Sequence, residues 1–333
     1  MTLTKKKLLL GIFLLLEASF CCLICLGVYK VFLHYRRQAA LQKITVLKKE
    51  NFVFPQNPEF KYFYALTPNK VDVVKPDWSD EPITNTYNED GLNDRYNYSV
   101  EKPANTFRII TLGDSFTFGQ NVNTKDNWTE QLEDTLNSQK SSCNSTHFEV
   151  INLGMPGFDI PYIAQRYKTV GAKYNPDLVI WFESGSGFTR FDERALPIIT
   201  ACEEREKNAS TAAVTKNQYY DCWDEADQEL NKLYTTQQVT TTLKGYLDEF
   251  LKTQDHKKML FFTFTPDVFN EQDQKTSSEW QKSYSDILHS ASIPNIYALK
   301  QALPDAHPSV AGHTTISNTI YDYLRKNVIP SCR

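Results

Sequence analysis

The sequence predicts an α/β protein: a three-layer sandwich around a central parallel sheet of about five strands, preceded by an N-terminal transmembrane helix. Three observations predict it. Short apolar runs rich in β-branched residues alternate with helically spaced segments between 107 and 327. Each run stops at a turn carrying glycine, proline or a polar residue. An apolar run long enough to cross a bilayer opens the chain. Strands separated by helix-length connections are joined by right-handed crossovers, which gives a parallel sheet with helices on both faces. Composition fits a folded chain of 333 residues, because aromatics reach 13% where a disordered chain would lack them. The net charge of −4 argues against a protein built to hold nucleic acid, which carries a basic excess. Twelve glycines and 15 prolines exclude collagen-like organisation.

Residues 1–33 form the first unit. Lys5, Lys6 and Lys7 precede the run at 8–29, broken only by Glu17. At about 1.5 Å per residue this run spans roughly 30 Å as a helix, the thickness of a bilayer core. A cleaved signal peptide has a shorter apolar region and a small-x-small site. Ala18-Ser19-Phe20 fits that poorly, so an uncleaved anchor into the lipid bilayer is expected. The three lysines favour an inside N-terminus. Lys30, Arg36, Arg37, Lys43, Lys48 and Lys49 argue the other way. Cysteine usage favours a globular domain outside the cytoplasm: Cys21, Cys22 and Cys25 lie in the apolar run, leaving Cys143, Cys202, Cys222 and Cys332. Four is compatible with two disulfides. Cys202–Cys222 is the expected pair, with Cys143–Cys332 the second. Asn97, Asn127, Asn144 and Asn208 each open an Asn-x-Ser/Thr triplet, weak further support for that compartment.

Residues 34–105 read as a basic connector followed by irregular structure with short strands. The third unit, 106–333, holds the alternating pattern. Strands are expected at 107–112, 148–153, 178–182, 259–264 and, shorter, at 295–298. Helices are expected at 127–136, 161–174, 239–253, 277–290 and 309–327. The polar stretch at about 188–235, with Cys202 and Cys222, reads as an insertion.

Ligand sites in such sheets lie at the carboxyl ends of strands, and three segments sit there. Ser115 follows the first strand in Gly113-Asp114-Ser115. A serine at a strand tip can present Oγ as a nucleophile if a base is near; the plain alternative is a helix N-cap. Asn152-Leu153-Gly154-Met155-Pro156-Gly157 follows the second strand, and its glycines permit close backbone approach. Asp305-Ala306-His307-Pro308 leads into the last helix. His307 can take a proton from a serine while Asp305 holds the ring through its other nitrogen. Of the six histidines, His34 lies beside the membrane, and His147, His256 and His289 lack a strand-end setting. His313, inside the last helix, reads as a packing or capping residue. No spacing suggests a metal site, a cofactor loop or a Walker loop.

Together these segments resemble the SGNH/GDSL hydrolase family, from about 107 to 324. Gly113-Asp114-Ser115 is similar to its nucleophile block, and 152–157 to its second block, whose Gly157 would supply an oxyanion N–H. Asp305-Ala306-His307-Pro308 is similar to its last block, with one residue rather than two between Asp and His. The lead-in at 88–94 resembles that of extracytoplasmic bacterial members. The resemblance implies the SGNH/flavodoxin-like sandwich and a serine esterase or O-acyltransferase/deacetylase. Ser115, His307 and Asp305 would be catalytic, with the N–H groups of Ser115 and Gly157 in the oxyanion hole. The implied partner is an acyl-ester substrate, for example an O-acetylated cell-surface glycan, with no cofactor. One departure stands out. The family's third block carries an asparagine that completes the hole, and counting from Pro176 places Ser186 there. Ser186 or Ser184 substitutes, or a residue of the insertion such as Asn208 or Arg190 does, or the domain is inactive and binds a glycan or protein.

Overall fold

The computed structural model describes residues 25–32, 52–138, 146–209, 216–254, 259–269, 271–284 and 289–329. Most of the expected bilayer span at 8–29, the connector at 34–51, and Cys143 and Cys332 lie outside the described residues. Residues 25–32 are helical and exposed. Among the described residues, no helix is long and apolar enough to cross a membrane.

Two short antiparallel pairs come first: β1 (Phe52–Val53) with β2 (Ala65–Leu66), and β3 (Lys70–Val74) with β4 (Ile83–Tyr87). The main sheet follows, with β5 (Thr106–Gly113), β6 (His147–Asn152), β7 (Leu178–Glu183), β8 (Met259–Phe264) and β9 (His289–Ile293). It is parallel throughout, in the order β6-β5-β7-β8-β9. Numbered from its own first strand this is 2-1-3-4-5, the flavodoxin-like order, which places a crevice where the winding reverses between the first and third strands.

Both faces of the sheet are covered, so its strands are apolar on both sides. Ile109, Val150, Ile180, Phe262 and Phe264 pack with Trp128, Leu132 and Leu136 of α2 (Trp128–Ser138) and with Ile316, Ile320 and Leu324 of α8 (Val310–Asn327). Ile110, Leu112, Val179, Trp181 and Phe261 pack on the opposite face with α3 (Ile160–Arg166) and α6 (Thr236–Thr253). Phe60, Phe63, Tyr87 and Leu92, from the stretch before the sheet, join that same cluster. Between β5 and α2 lies the single turn α1 (Ser115–Phe118).

The polar stretch at 188–235 holds two helices, α4 (Asp192–Ala209) and α5 (Lys216–Leu233), joined by a Cys202–Cys222 disulfide. The remaining helix, α7 (Glu271–Ser283), crosses from β8 to β9.

Three expectations need correction. The fifth strand is His289–Ile293, not 295–298. It is the sheet's edge strand, so Ser290 and Ser292 face solvent and no apolar run marks it. The helix expected at 277–290 is displaced to Glu271–Ser283. The helix expected at 161–174 is α3 followed by a π turn (Tyr167–Gly171) and a 3-10 turn (Ala172–Tyr174).

Candidate active site

The nucleophile block sits where the chain leaves β5. Gly113 has no space for a side chain: an added Cβ would lie 2.2 Å from Thr117 Oγ1 and 2.6 Å from Phe182 O. The close turn brings Ser115 to the sheet's carboxyl edge as the first residue of α1. Asp114 caps α1, accepting from Phe116 N at 2.9 Å, and also accepts from the Ser184 hydroxyl. The cap is therefore Asp114, and the Ser115 side chain is left for other work.

The last block reaches Ser115 from 192 residues away. His307 Nε2 lies 2.9 Å from Ser115 Oγ. His307 Nδ1 lies 3.0 Å from Asp305 Oδ2, and His307 N donates to Asp305 Oδ1 at 3.2 Å. Asp305 is buried, and the same Oδ2 also accepts from Asn121 Nδ2. A carboxylate flanked by two donors fixes the proton on Nδ1, leaving the Nε2 lone pair aimed at the serine.

The short spacing between Asp305 and His307 works through backbone conformation. Ala306 adopts φ +73°, a left-handed conformation uncommon for a residue with a Cβ. This folds the tripeptide so that both side chains converge. Tyr297 Oη donates to Ala306 O at 3.0 Å, and Leu303 N to His307 O at 2.7 Å. The Phe116 ring lies 5.3 Å from the imidazole, centroid to centroid.

The second block divides its duties. Asn152 is fully buried, donates to Asn93 O and accepts from Gly154 N, so it ties the lead-in to the β6 turn. Gly157 takes φ +79°, and an added Cβ would meet Tyr64 Oη at 2.8 Å and Arg190 Nη2 at 3.4 Å. Gly157 thus has a guanidinium beside it, which sequence spacing did not reveal.

In the third block the structure describes Ser184 but not the Ser186 side chain. Ser184 Oγ is engaged with Asp114. Glu183, at the end of β7, accepts through Oε1 from both Gly185 N and Gly187 N at 3.0 Å. Burial pushes the Glu183 carboxyl up to about 7, with Asp114 adding to the rise. Ser186 opens the 3-10 turn Ser186–Phe188, and its side chain lies outside the described residues, as does that of Asn208.

Among the described residues, the other histidines are not placed as bases for this site, and His34 and His256 lie outside the described residues. His313 is fully buried, accepts from Trp128 N at 3.2 Å and so caps α2. Burial pushes its pKa down to about 3, with His307 a smaller cause, so it stays neutral. His147 and His289 open β6 and β9, at the opposite end of the sheet from Ser115. Asn127 of the Asn-x-Thr triplet is fully buried and donates to Thr117 O and Phe118 O at 3.0 Å, so it is a structural residue and not a glycan acceptor. Among the described residues, no group of three or more His, Cys, Asp or Glu is placed to hold a metal.

A cavity of about 310 Å³ opens against α4 and α5, with Arg190, Arg194, Trp223, Asp227, Asn231 and Tyr234 in its wall. Arg194 lies over the Phe191 and Tyr234 rings, at 4.6 and 4.2 Å.

The chain resembles the SGNH/GDSL hydrolases. No family model and no curated protein matches the sequence. The fold is similar to that of several solved structures. A lipase/acylhydrolase from Enterococcus faecalis is 13% identical, with 68% of this chain and 100% of that chain covered and a TM-score of 0.41. The psychrotrophic esterase EstA from a Pseudoalteromonas species is also 13% identical, with 66% and 97% covered and a TM-score of 0.41. A two-domain esterase active on acetylated mannans is 15% identical, with 68% of this chain and 50% of that chain covered and a TM-score of 0.41. At these identities and scores the functional reading rests on the chain's own residues.

Proposed function

We propose that the protein is a serine esterase or O-acyltransferase/deacetylase, anchored through 8–29 with its GDSL-like domain outside the cytoplasm. The observation that carries the reading is the continuous Ser115–His307–Asp305 chain, with contacts of 2.9 and 3.0 Å. It disfavours the inactive, glycan- or protein-binding alternative, because a domain kept only for binding has no need to hold all three groups in register.

In the proposed reaction Ser115 Oγ bonds to the acyl carbonyl carbon as its proton passes to His307 Nε2. The carbonyl π electrons move onto oxygen, where the Ser115 and Gly157 N–H groups receive the charge. Asp305 stabilises the imidazolium and keeps its orientation. Collapse reforms the carbonyl and expels the alkoxide, which takes the proton from Nε2. Water, or an acceptor alcohol, then repeats the sequence on the acyl-enzyme and frees Ser115.

The cavity wall supports a polar substrate. Arg194, Asp227 and Asn231 offer donors and acceptors beside the Trp223 and Tyr234 rings, the combination that suits a sugar carrying an O-acetyl group. Extracytoplasmic placement agrees with the Cys202–Cys222 disulfide.

The test is hydrolysis of p-nitrophenyl acetate by the purified full-length chain. Activity should vanish in Ser115→Ala and in His307→Ala. Activity that survives either substitution sinks the assignment.

A further inference from the structure

The vacant place of the third-block asparagine leads to Arg190. Among the described donors flanking that place, the Ser184 hydroxyl is engaged with Asp114 and the Gly185 and Gly187 N–H groups with Glu183, while the Ser186 side chain lies outside the described residues. The guanidinium of Arg190, in contrast, lies against Gly157, with Nη2 3.4 Å from where a Cβ would stand. It is held by the Asp192 carboxylate and the Trp223 ring. Nε and Nη2 donate to Asp192 at 2.5 and 3.2 Å. Asp192 N donates at 2.7 Å to Asp159, which also caps α3 two residues beyond Gly157. Trp223 covers the guanidinium plane at 4.4 Å. Trp223 follows Cys222, so the disulfide between α4 and α5 steadies this clamp. Among the described residues Nη1 has no hydrogen-bond acceptor.

A donor so fixed needs no reorganisation when charge develops nearby, which is the condition for strong transition-state stabilisation. Its bond to an oxyanion is also charge-assisted, and so stronger than one from a neutral amide. We propose that Arg190 is a catalytic residue that replaces the missing asparagine, donating through its free N–H groups to the oxyanion formed when Ser115 adds to the ester carbonyl. The inference rests on the hydrolase reading above. It gives the insertion a task, since α4 and α5 supply Asp192 and Trp223, which aim Arg190.

The test compares steady-state hydrolysis of p-nitrophenyl acetate by the full-length wild type, Arg190→Met, the double variant Arg190→Met with Asp192→Asn, and Ser186→Ala. The double variant removes the cation and its carboxylate together, so it guards against misfolding from an unpaired Asp192. Thermal unfolding checks that each variant is folded. Both Arg190 variants should lose about 10²–10³-fold in kcat with KM within a few-fold of wild type. Added guanidinium ion at millimolar concentration should restore part of that loss. Ser186→Ala, at the rival donor, should lose less than Arg190→Met. Full kcat in the folded double variant, or a loss confined to KM, overturns the proposal. So does a large loss in Ser186→Ala with none in Arg190→Met. A wild type with no Ser115-dependent activity refutes the hydrolase reading itself, and this role with it.

Discussion

Replacing Glu183 by Gln should stabilise the protein at pH 8 and leave it nearly unchanged at pH 5. Glu183 is 2% exposed, and burial with Asp114 close by raises its carboxyl from 4.5 to about 7. Between those two values the native protein keeps a proton that the unfolded chain has released. Stability therefore falls as pH rises through that window and levels off on either side. The displacement corresponds to roughly 3 kcal/mol, at 1.36 kcal/mol per pH unit. Gln cannot ionise, yet its single carbonyl oxygen can accept from Gly185 N and Gly187 N, because both bonds already end on Oε1. Urea denaturation followed by tryptophan fluorescence at pH 5 and pH 8 measures the effect. Comparing the two proteins cancels the other buried carboxylates, such as Asp94 and Glu133. The variant should gain about 2.5 kcal/mol over wild type on going from pH 5 to pH 8, because pH 5 already lies a little above the unfolded value. A stability difference identical at both pH values would refute the argument.

Other outcomes follow from the same structure. Removing the disulfide with Cys202→Ser and Cys222→Ser opens a loop of sequence separation 20, and chain entropy sets the loss at about 3 kcal/mol. An unchanged Tm in the double variant would contradict that. His313→Leu leaves Trp128 N without its acceptor, so the Tm should fall by several degrees. Activity per folded molecule should persist there, whereas His307→Gln should show the reverse pattern in the same two assays. Ala306→Val places a β-branched residue at φ +73°, so kcat should drop at least tenfold as Asp305 and His307 are pushed apart, while Ala306→Gly should retain most of the rate.

The parts of the fold legible in sequence were those written in local pattern. β5, β7 and β8 are buried on both faces, so each reads as a continuous apolar run. The edge strand β9 has two exposed serines and carries no such signal. Ser115, Asp305 and His307 were legible because each sits in a short motif beside an element end. The residues around them were not. Asn121 reaches Asp305 across 184 residues, and Arg190 reaches Gly157 only through the Asp159–Asp192 link. Such contacts follow from the winding of the sheet and leave no periodic trace. The polar stretch at 188–235 holds two helices that place Trp223 over Arg190, which composition could not reveal.

The central claim is that Ser115 is a nucleophile activated by His307. A fluorophosphonate probe tests it most directly, since phosphorus reacts with the activated Oγ and the adduct is located by peptide mass spectrometry. One adduct is expected, on Ser115 at the start of α1, lost in Ser115→Ala and strongly slowed in His307→Ala. An unlabelled wild type, or labelling at Ser115 that proceeds equally fast in His307→Ala, would contradict it.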